Sequence, residues 1–353
     1  MKKIAIVIGD LGMPGGAEKV AADLATEFHQ RGYDVTVITF EEKQKSGYLQ
    51  TPAKHLHISM PSREGGLFNQ LQLLAQRVWT FRQVFQREQF THIFSFLESA
   101  NVPCALASPL TLTSVHIDPD EWTKHQQKII KFAFKRARAV VALTNSMQAK
   151  LESRLQLPNV VRIYNPVMTD LVHQRAKESI VISSPFILAV GRLNKLKRFD
   201  RLIAAYAQAT IKENCQLVIL GEGELRQELE RQIQDYGLQD RVLLLGYESN
   251  PYKYMTRAEY LVMSSDTEAY PVVLIEALSL GCPVLSTDCP SGPREIIREG
   301  VNGLLVSLTA EALAAGMQCL CTDTQLRERL SRQAPSSVQG NDIRAVADAW
   351  LAV

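Results

Sequence analysis

Short apolar runs alternate with amphipathic segments along this 353-residue chain, and this alternation constrains the fold more than any other feature. The first run, IAIVIG, precedes a helical pattern over about 17–31, which leads to a second apolar run over 34–40. Continuous β-branched runs suit strands that are buried on both faces, as in parallel sheets. The sequence therefore predicts an α/β fold built on doubly wound parallel sheets.

The same plan occurs twice. In the first half, further strands are predicted at 55–59, 91–97, 110–116, 140–144 and 160–164; in the second half, strands are predicted at 186–190, 216–220, 242–246, 260–263 and 283–286. Asn165-Pro166 breaks the pattern, and the polar segment up to Ser184 is the best linker. We predict two Rossmann-like domains, 1–168 and 169–335, followed by a C-terminal segment, 336–353.

Composition and charge exclude several classes of protein. The chain is 46% hydrophobic and 22% charged, as expected of a soluble globular protein, and its formal net charge of +2 gives no overall attraction for nucleic acid. The six cysteines show no C-x-x-C pair, which favours free thiols in a reducing cytoplasm. No stretch approaches the roughly 20 apolar residues that span a bilayer. We expect a cytoplasmic protein or one attached to a membrane surface.

The stretch 264–304 carries the most chemical information. Glu268 and Glu276 flank an apolar run that opens on Pro271, which fits the first position of a helix because its φ is fixed. Gly281 suits the left-handed residue that ends this helix. The helix start would leave three backbone N–H groups free for phosphate, those of Val272, Val273 and Leu274. Such a stretch could hold a sugar, a ribose and a diphosphate.

A glycine pair, Gly15-Gly16, precedes the first predicted helix. Glycines there permit close approach of a ligand, and the helix start would point N–H groups at an anion. The loop is not G-x-G-x-x-G, so a dinucleotide site is poorly supported, although Glu41 after the second strand could be its ribose acid. A purely structural glycine turn is the other interpretation.

Polar residues follow the strand predicted at 110–116. His116 would emerge at the carboxyl end of that strand, where open parallel sheets bind ligands, or it is simply a satisfied polar group. Asp118 and Asp120 form a D-x-D, which can hold a divalent metal, but a helix N-cap suits them better. We therefore predict no metal site.

Two basic segments leave alternatives open. Over 122–138, cations alternate with apolar residues, which fits either a helix on an anionic membrane or an ordinary surface helix. Over 67–87, an apolar stripe is predicted at Leu71, Leu74, Val78, Phe81 and Phe85. The arginines of that helix are either solvated or form a cationic edge for lipid headgroups or an acceptor's diphosphate; they are Arg77, Arg82 and Arg87.

Further motifs connect these observations to a known family. GRLNKLK follows the strand at 186–190 and contains Gly191, Arg192 and Lys197. Together with GGAEK, YNP, LGEGEL and two glutamates separated by seven residues before ALSLGCPVLSTD, it resembles glycosyltransferase family 4. The tail CPSGPREIIREGVNGLLV is similar to transferases that build lipid-linked and O-antigen oligosaccharides. The resemblance implies a GT-B fold, in which two Rossmann-like domains face a cleft and the final helix, near 342–351, packs back on the first domain.

The resemblance also assigns parts of a nucleotide-sugar donor to residues. Arg192 and Lys197, beyond Gly191, would bind the diphosphate and stabilise its growing charge. Glu268 would bind the donor sugar, and Glu276 the ribose hydroxyls. Main-chain groups would also contact the sugar, those of Ala269, Tyr270, Pro271 and Val272.

The first domain would hold the acceptor side. The resemblance places His116 beside the donor sugar, and Gly15 and Gly16 near the acceptor and the diphosphate. It implies retaining transfer of a hexose or N-acetylhexosamine from a UDP-linked donor, without metal or other cofactor. The acceptor would be a glycan or a lipid-diphosphate-linked oligosaccharide at the cytoplasmic face of the inner membrane.

The chain departs from the family pattern at three places. Ala269 stands where many relatives have glycine, Pro271 removes one N–H donor, and Asn165-Pro166 replaces a frequent Asn-Gly. These departures bear on donor choice. Three alternatives remain: a GT-B epimerase acting on the nucleotide sugar alone, a non-enzymatic membrane scaffold and, least supported, an NAD-dependent oxidoreductase.

Overall fold

The computed structural model describes residues 2–12, 15–41, 50–60, 67–211 and 215–353. Contacts divide the chain into two compact units, Met1–Pro166 with Ile343–Val353, and Val167–Asp342. The first division lies two residues before the boundary predicted at 168. The segment predicted as a linker contains a helix of the second unit, Thr169–Arg175.

The first unit contains, within the described residues, a parallel sheet in the order β3-β2-β1-β4-β5-β6-β7. Its strands are β1 (Lys3–Val7), β2 (Asp34–Thr39), β3 (Lys54–His57), β4 (His92–Phe96), β5 (Thr111–Ser114), β6 (Ala139–Ala142) and β7 (Val160–Arg162). Its first helices are α1 (Gly16–Gln30), α2 (Leu67–Glu88), α3 (Glu98–Ala107), α4 (Lys124–Phe134) and α5 (Asn145–Ser153).

The second unit contains a parallel sheet in the order β10-β9-β8-β11-β12-β13, counted over its described part. The strands are β8 (Phe186–Val190), β9 (Gln216–Leu220), β10 (Val242–Gly246), β11 (Leu261–Met263), β12 (Val284–Thr287) and β13 (Gly303–Val306). The helices are α6 (Thr169–Arg175), α7 (Phe199–Gln208), α8 (Arg226–Asp235), α9 (Tyr252–Met255), α10 (Val272–Ser279), α11 (Gly292–Ile296), α12 (Ala310–Thr322) and α13 (Thr324–Ser337).

Both sheets are doubly wound, as the sequence predicted. The strand order reverses beside β1 in the first sheet and beside β8 in the second, and every strand pair is parallel across the described strands. In β1, Ile4 to Val7 are buried without exception, because helices cover both faces of the sheet. The prediction of two Rossmann-like α/β domains is confirmed.

The last helix, α14 (Ile343–Ala352), belongs to the first unit. Trp350 packs on Phe94 and Phe96, with ring centroids 4.9 and 5.5 Å away, and it is almost completely buried. Asp348 pairs with Arg31, which follows α1. The helix therefore completes the core of the first unit.

The interpretation of α2 needs correction. Phe81 and Phe85 are buried as predicted, but Leu71 is 52% exposed and does not continue the buried stripe. Arg77 is buried, with its guanidinium 4.8 Å from the ring centroid of Phe40, so it is neither solvated nor available to lipid headgroups. Its aliphatic stem and cation–π contact let a charged residue occupy a core position.

Candidate active site

Two loops meet at the carboxyl edge of the second sheet. One connects β8 to α7 and the other connects β11 to α10. Since β8 and β11 are neighbours and the strand order reverses between them, their carboxyl ends flank the crevice where doubly wound sheets bind ligands. All predicted donor-binding residues of the second half lie in these loops or in α10.

Lys197 and Glu268 form an ion pair between the two loops. The Lys197 ammonium donates to Glu268 Oε1, and the same oxygen accepts from Ser265 Oγ at 2.7 Å. The backbone N–H of Lys197 donates to Asn194 Oδ1 at 3.1 Å, which holds the turn that carries it. The structure thus brings together two predicted site residues that are 71 positions apart.

Arg192 lies exposed on the β8–α7 loop, directly after Gly191. Two glycines of LGEGEL, in the loop after β9, let that loop pack closely against the loop of Arg192. A Cβ on Gly221 would lie 1.8 Å from the Gly191 carbonyl oxygen, and a Cβ on Gly223 would lie 2.4 Å from the Leu193 carbonyl oxygen. Gly221 also has φ +151°, which favours glycine. The sequence predicted no role for these glycines; they permit the packing that shapes the Arg192 loop.

The start of α10 differs from the prediction. Pro271 is the N-cap, with ψ 110°, and the first helical residue is Val272. The Leu274 N–H donates to the Pro271 carbonyl at 3.1 Å, so the prediction that it is free for phosphate is wrong. Gly281 has φ +76° and follows the end of α10, as predicted.

Glu276 is buried on α10. Its Oε1 accepts a hydrogen bond of 2.9 Å from the hydroxyl of Tyr252, a buried residue of α9. Tyr252 fixes one carboxylate oxygen in a place from which water is excluded. Sequence analysis missed this residue, because no spacing relates it to a glutamate 24 positions away.

A third loop, before α11, supports the Glu268 segment. The Gly292 N–H donates to the Glu268 carbonyl at 3.0 Å, and a Cβ on Gly292 would lie only 2.6 Å from Pro271 Cδ and 2.9 Å from the Ala269 oxygen. The neighbouring Ser291 has the rare dihedrals φ 76° and ψ −87°. Tyr270 is buried and its hydroxyl accepts from Asn341 at 2.9 Å. The backbone at 268–272 is therefore closely packed against the loop that precedes α11.

His116 follows β5 in the first unit. Its Nε2 lies 2.9 Å from Ser114 Oγ, and its ring centroid is 5.8 Å from that of Phe96. Burial lowers the pKa of His116 to about 3, so its imidazole is neutral at physiological pH. It can donate or accept a hydrogen bond but does not supply positive charge.

Gly15 is the N-cap of α1 and Gly16 is its first residue. A Cβ on Gly15 would lie 2.1 Å from Glu18 Oε2, because that carboxylate folds over the helix start. Negative charge there interacts favourably with the helix dipole and occupies the place expected for an anion. Met13 and Pro14 of the predicted loop lie outside the described residues.

The D-x-D has a structural role. Asp118 Oδ1 accepts from the Asp120 N–H at 2.9 Å as the cap of a short 3-10 turn, as predicted. Lys150 pairs with both carboxylates, at 2.7 and 2.9 Å. In the part of the chain that the structure describes, no group of three ligating side chains could hold a metal ion.

Comparison with known proteins identifies the family. Residues 14–171 match the family model "Glycosyltransferase Family 4", and residues 173–337 match "Glycosyl transferases group 1". A Campylobacter jejuni protein named N-acetylgalactosamine-N,N'-diacetylbacillosaminyl-diphospho-undecaprenol 4-alpha-N-acetylgalactosaminyltransferase is 32% identical over 97% of this chain and 96% of its own length. The chain belongs to glycosyltransferase family 4.

Other relatives agree with this assignment. The amylovoran biosynthesis glycosyltransferase AmsD of Erwinia amylovora is 27% identical over 95% of this chain and 94% of its own. The crystal structure of Anabaena Alr3699/HepE in complex with UDP and glucose superposes with a TM-score of 0.81 at 22% identity, covering 100% of this chain and 99% of that one. The structural likeness shows that the chain has the GT-B fold. The family match shows that it is a glycosyltransferase.

Proposed function

We propose that this enzyme transfers a hexose or N-acetylhexosamine, with retention of configuration, from a UDP-linked donor to a glycan on a lipid diphosphate. The observation that carries the proposal is the Lys197–Glu268 pair at the switch point of the second sheet. The 32% identical relative is named as acting on a diphospho-undecaprenol-linked saccharide, as is a second Campylobacter jejuni relative, 24% identical over 99% of this chain and 98% of its own.

The diphosphate of the donor would bind to Arg192 and Lys197. A diphosphate entering the crevice attracts the Lys197 ammonium away from Glu268, and Arg192 can bind phosphate oxygens bidentately. Both cations then face the charge that grows on UDP as the glycosidic bond breaks. Because they supply this countercharge, transfer needs no metal ion.

The sugar and the ribose would bind to the two glutamates. Glu268, released from Lys197 and still held by Ser265, accepts hydrogen bonds from sugar hydroxyls. Glu276 accepts them from the ribose, while Tyr252 fixes its orientation. Main-chain groups of 269–272 complete the sugar site.

Residues of the first unit would bind the acceptor side. By the family resemblance, His116, whose imidazole is kept neutral by burial, would donate or accept a hydrogen bond beside the donor sugar, and Gly15-Gly16 would lie near the acceptor and the diphosphate. A phosphate oxygen of the departing UDP takes the proton of the acceptor hydroxyl, so the new bond forms on the face from which UDP leaves. This assignment requires no protein base.

The enzyme would meet its lipid-linked acceptor at a membrane surface. On α4, Ile130 and Phe134 are buried, whereas Phe132 is 56% exposed and lies under the Arg136 guanidinium, 3.8 Å from its ring centroid. The residues 122–151 contain no acid. Among the described helices none is long and apolar enough to cross a bilayer. We propose peripheral attachment to anionic lipids through Phe132 and cations of the same basic segment, Lys124, Lys128, Lys135, Arg136 and Arg138.

One experiment tests the reaction. The purified protein is incubated with UDP-N-acetylgalactosamine, UDP-N-acetylglucosamine, UDP-galactose and UDP-glucose, with and without an undecaprenyl-diphosphate-linked saccharide and with and without EDTA. We expect a longer lipid-linked glycan, detected by mass spectrometry, an α-linkage by NMR and unchanged rates in EDTA. A free epimer formed without acceptor would indicate an epimerase instead, and absence of donor binding would indicate a scaffold.

Membrane attachment has a separate test. Flotation with vesicles containing phosphatidylglycerol should carry the enzyme, and Lys128→Gln with Lys135→Gln and Phe132→Ser should leave it in the soluble fraction. Unchanged flotation would remove α4 from the proposal without affecting the transfer reaction.

A further inference from the structure

Asp266 lies two residues before Glu268 and connects the two loops of the site. Its Oδ2 accepts from Arg198 Nη1 at 2.9 Å, and its Oδ1 accepts from Arg201 Nη2. Its backbone N–H donates to the Leu196 carbonyl at 2.9 Å. Burial alone would raise the pKa of Asp266, but the hydrogen bonds from both guanidinium groups outweigh it and hold the pKa below its ordinary value. The carboxylate is therefore ionised throughout the physiological range.

The β8–α7 loop contains a strained residue that neighbouring contacts must hold in place. Arg198, adjacent to Lys197, has the left-handed dihedrals φ 50° and ψ 44° at the start of α7, a conformation that non-glycine residues adopt only when neighbouring contacts hold it. Arg201 is buried and also donates to the Ser264 carbonyl at 3.1 Å. Ser264 Oγ in turn donates to the Lys197 carbonyl at 2.8 Å. The backbone at Leu196 and Lys197 is thus bonded to the segment just before Glu268, at Ser264 and Asp266.

We propose that Asp266 is a positioning residue for sugar transfer, which clamps the loop of Lys197 to the loop of Glu268 through Arg198 and Arg201. The inference rests on the proposed function, because it concerns the same donor site. Both carboxylate oxygens of Asp266 are bonded to arginines, so it acts on the donor through the two loops. It sets the separation between the backbone that carries the diphosphate-binding ammonium and the backbone that carries the sugar-binding carboxylate.

The physical reason is the flexibility of lysine. A lysine side chain has several rotatable bonds, so its ammonium reaches a defined place only if the backbone behind it is fixed. Displacement of a binding group by about 1 Å can lower a rate by roughly 100-fold. The charge on the leaving diphosphate is greatest in the transition state, so misplacement of Lys197 should affect kcat more than the donor KM.

The test compares Asp266→Asn with Asp200→Asn in the full-length enzyme. Asp200 also pairs with Arg198, at 2.9 Å, but lies on α7 and makes no bond to the Glu268 loop, so it is a matched control. We expect Asp266→Asn to lower kcat at least about tenfold, with a smaller change in donor KM, and Asp200→Asn to stay within about twofold of the parent. Asp266→Glu, which keeps the charge, should recover part of kcat and covers the case in which Asp266→Asn does not fold.

The effect of Asp266→Asn in a Lys197 variant distinguishes a positioning role of Asp266 from a general effect on stability. In a Lys197→Arg background, where a planar guanidinium replaces the flexible ammonium that the clamp positions, Asp266→Asn should lower kcat by less than about threefold, since residues in one network are not additive. Equal losses for Asp266→Asn and Asp200→Asn, or losses independent of the residue at 197, would overturn the proposal. Near-normal turnover of Lys197→Ala would instead refute the donor site itself, and the two failures are therefore distinguishable.

Discussion

At the carboxyl edge of the second sheet, charged side chains from two loops pair with each other, whereas at the same edge of the first sheet the predicted site residues are a neutral histidine and two glycines. Lys197, Glu268 and Asp266 each have a charged partner in the facing loop. His116 has a serine hydroxyl and an aromatic ring. The predicted site residues of the second edge are held by ion pairs, whereas His116 of the first edge is held by a hydrogen bond and a ring contact.

The largest expected effect concerns the charged edge. Lys197→Ala and Glu268→Ala should each lower kcat by about 100- to 1,000-fold, because each removes a group that would stabilise the donor in the transition state. Initial rates with saturating UDP-sugar and acceptor measure this, and circular dichroism checks the fold. Near-normal turnover of either variant would contradict the idea that this edge carries the chemistry.

A substitution at His116, on the edge of the first sheet, should lower the activity less. His116→Asn keeps a hydrogen-bonding group and should lower kcat by roughly tenfold, about the effect of one hydrogen bond. If both edges lost activity equally, the contrast drawn between them would be wrong.

The close packing of the backbone around Glu268 should contribute to the free energy of unfolding. Gly292→Ala places a methyl group against Pro271 and Ala269 and should lower the free energy of unfolding by about 1–3 kcal/mol. Urea denaturation measures this change. Gly340→Ala is the control, because nothing lies within 4 Å of a Cβ at that position. Equal effects of the two substitutions would show that the close packing is dispensable.

The smallest effect concerns pH. The pKa of His116 in the folded protein, about 3, lies below its ordinary value, so on acidification the unfolded chain takes up a proton that the folded protein refuses. Stability should therefore fall as pH drops below about 6.5 toward that value. Urea midpoints for the parent and His116→Gln, compared at about pH 7.5 and about pH 5, should converge at the lower pH. Parallel pH dependence in both proteins would place the acid sensitivity elsewhere.

Strands could be predicted from the sequence where the local run of residues determines them. The strands β8, β9 and β10 have the predicted bounds, because each is a continuous apolar run. Helix α3 was missed, since Pro103 lies inside it and its short, apolar sequence lacks a helical pattern. The buried Arg77 could not be distinguished from a solvated arginine, because only the tertiary contact with Phe40 decides its place.

The site was predictable only in part, and for a different reason. Lys197 and Glu268 were placed together by resemblance to a family and by their positions after neighbouring strands, not by sequence spacing. Tyr252 beside Glu276, and Asp266 between two arginines, depend on contacts across 24 and 65–68 residues. No local pattern contains such pairs, since they arise when separate loops converge on one edge of a sheet.

The return of α14 to the first unit has a consequence for synthesis. The ribosome completes residues 167–342 before it releases the helix that covers Phe94 and Phe96. The first unit therefore remains unfinished, with an aromatic patch uncovered, while the second is already able to fold. Domains usually mature in the order in which they are made; here the unit that is begun first is closed last.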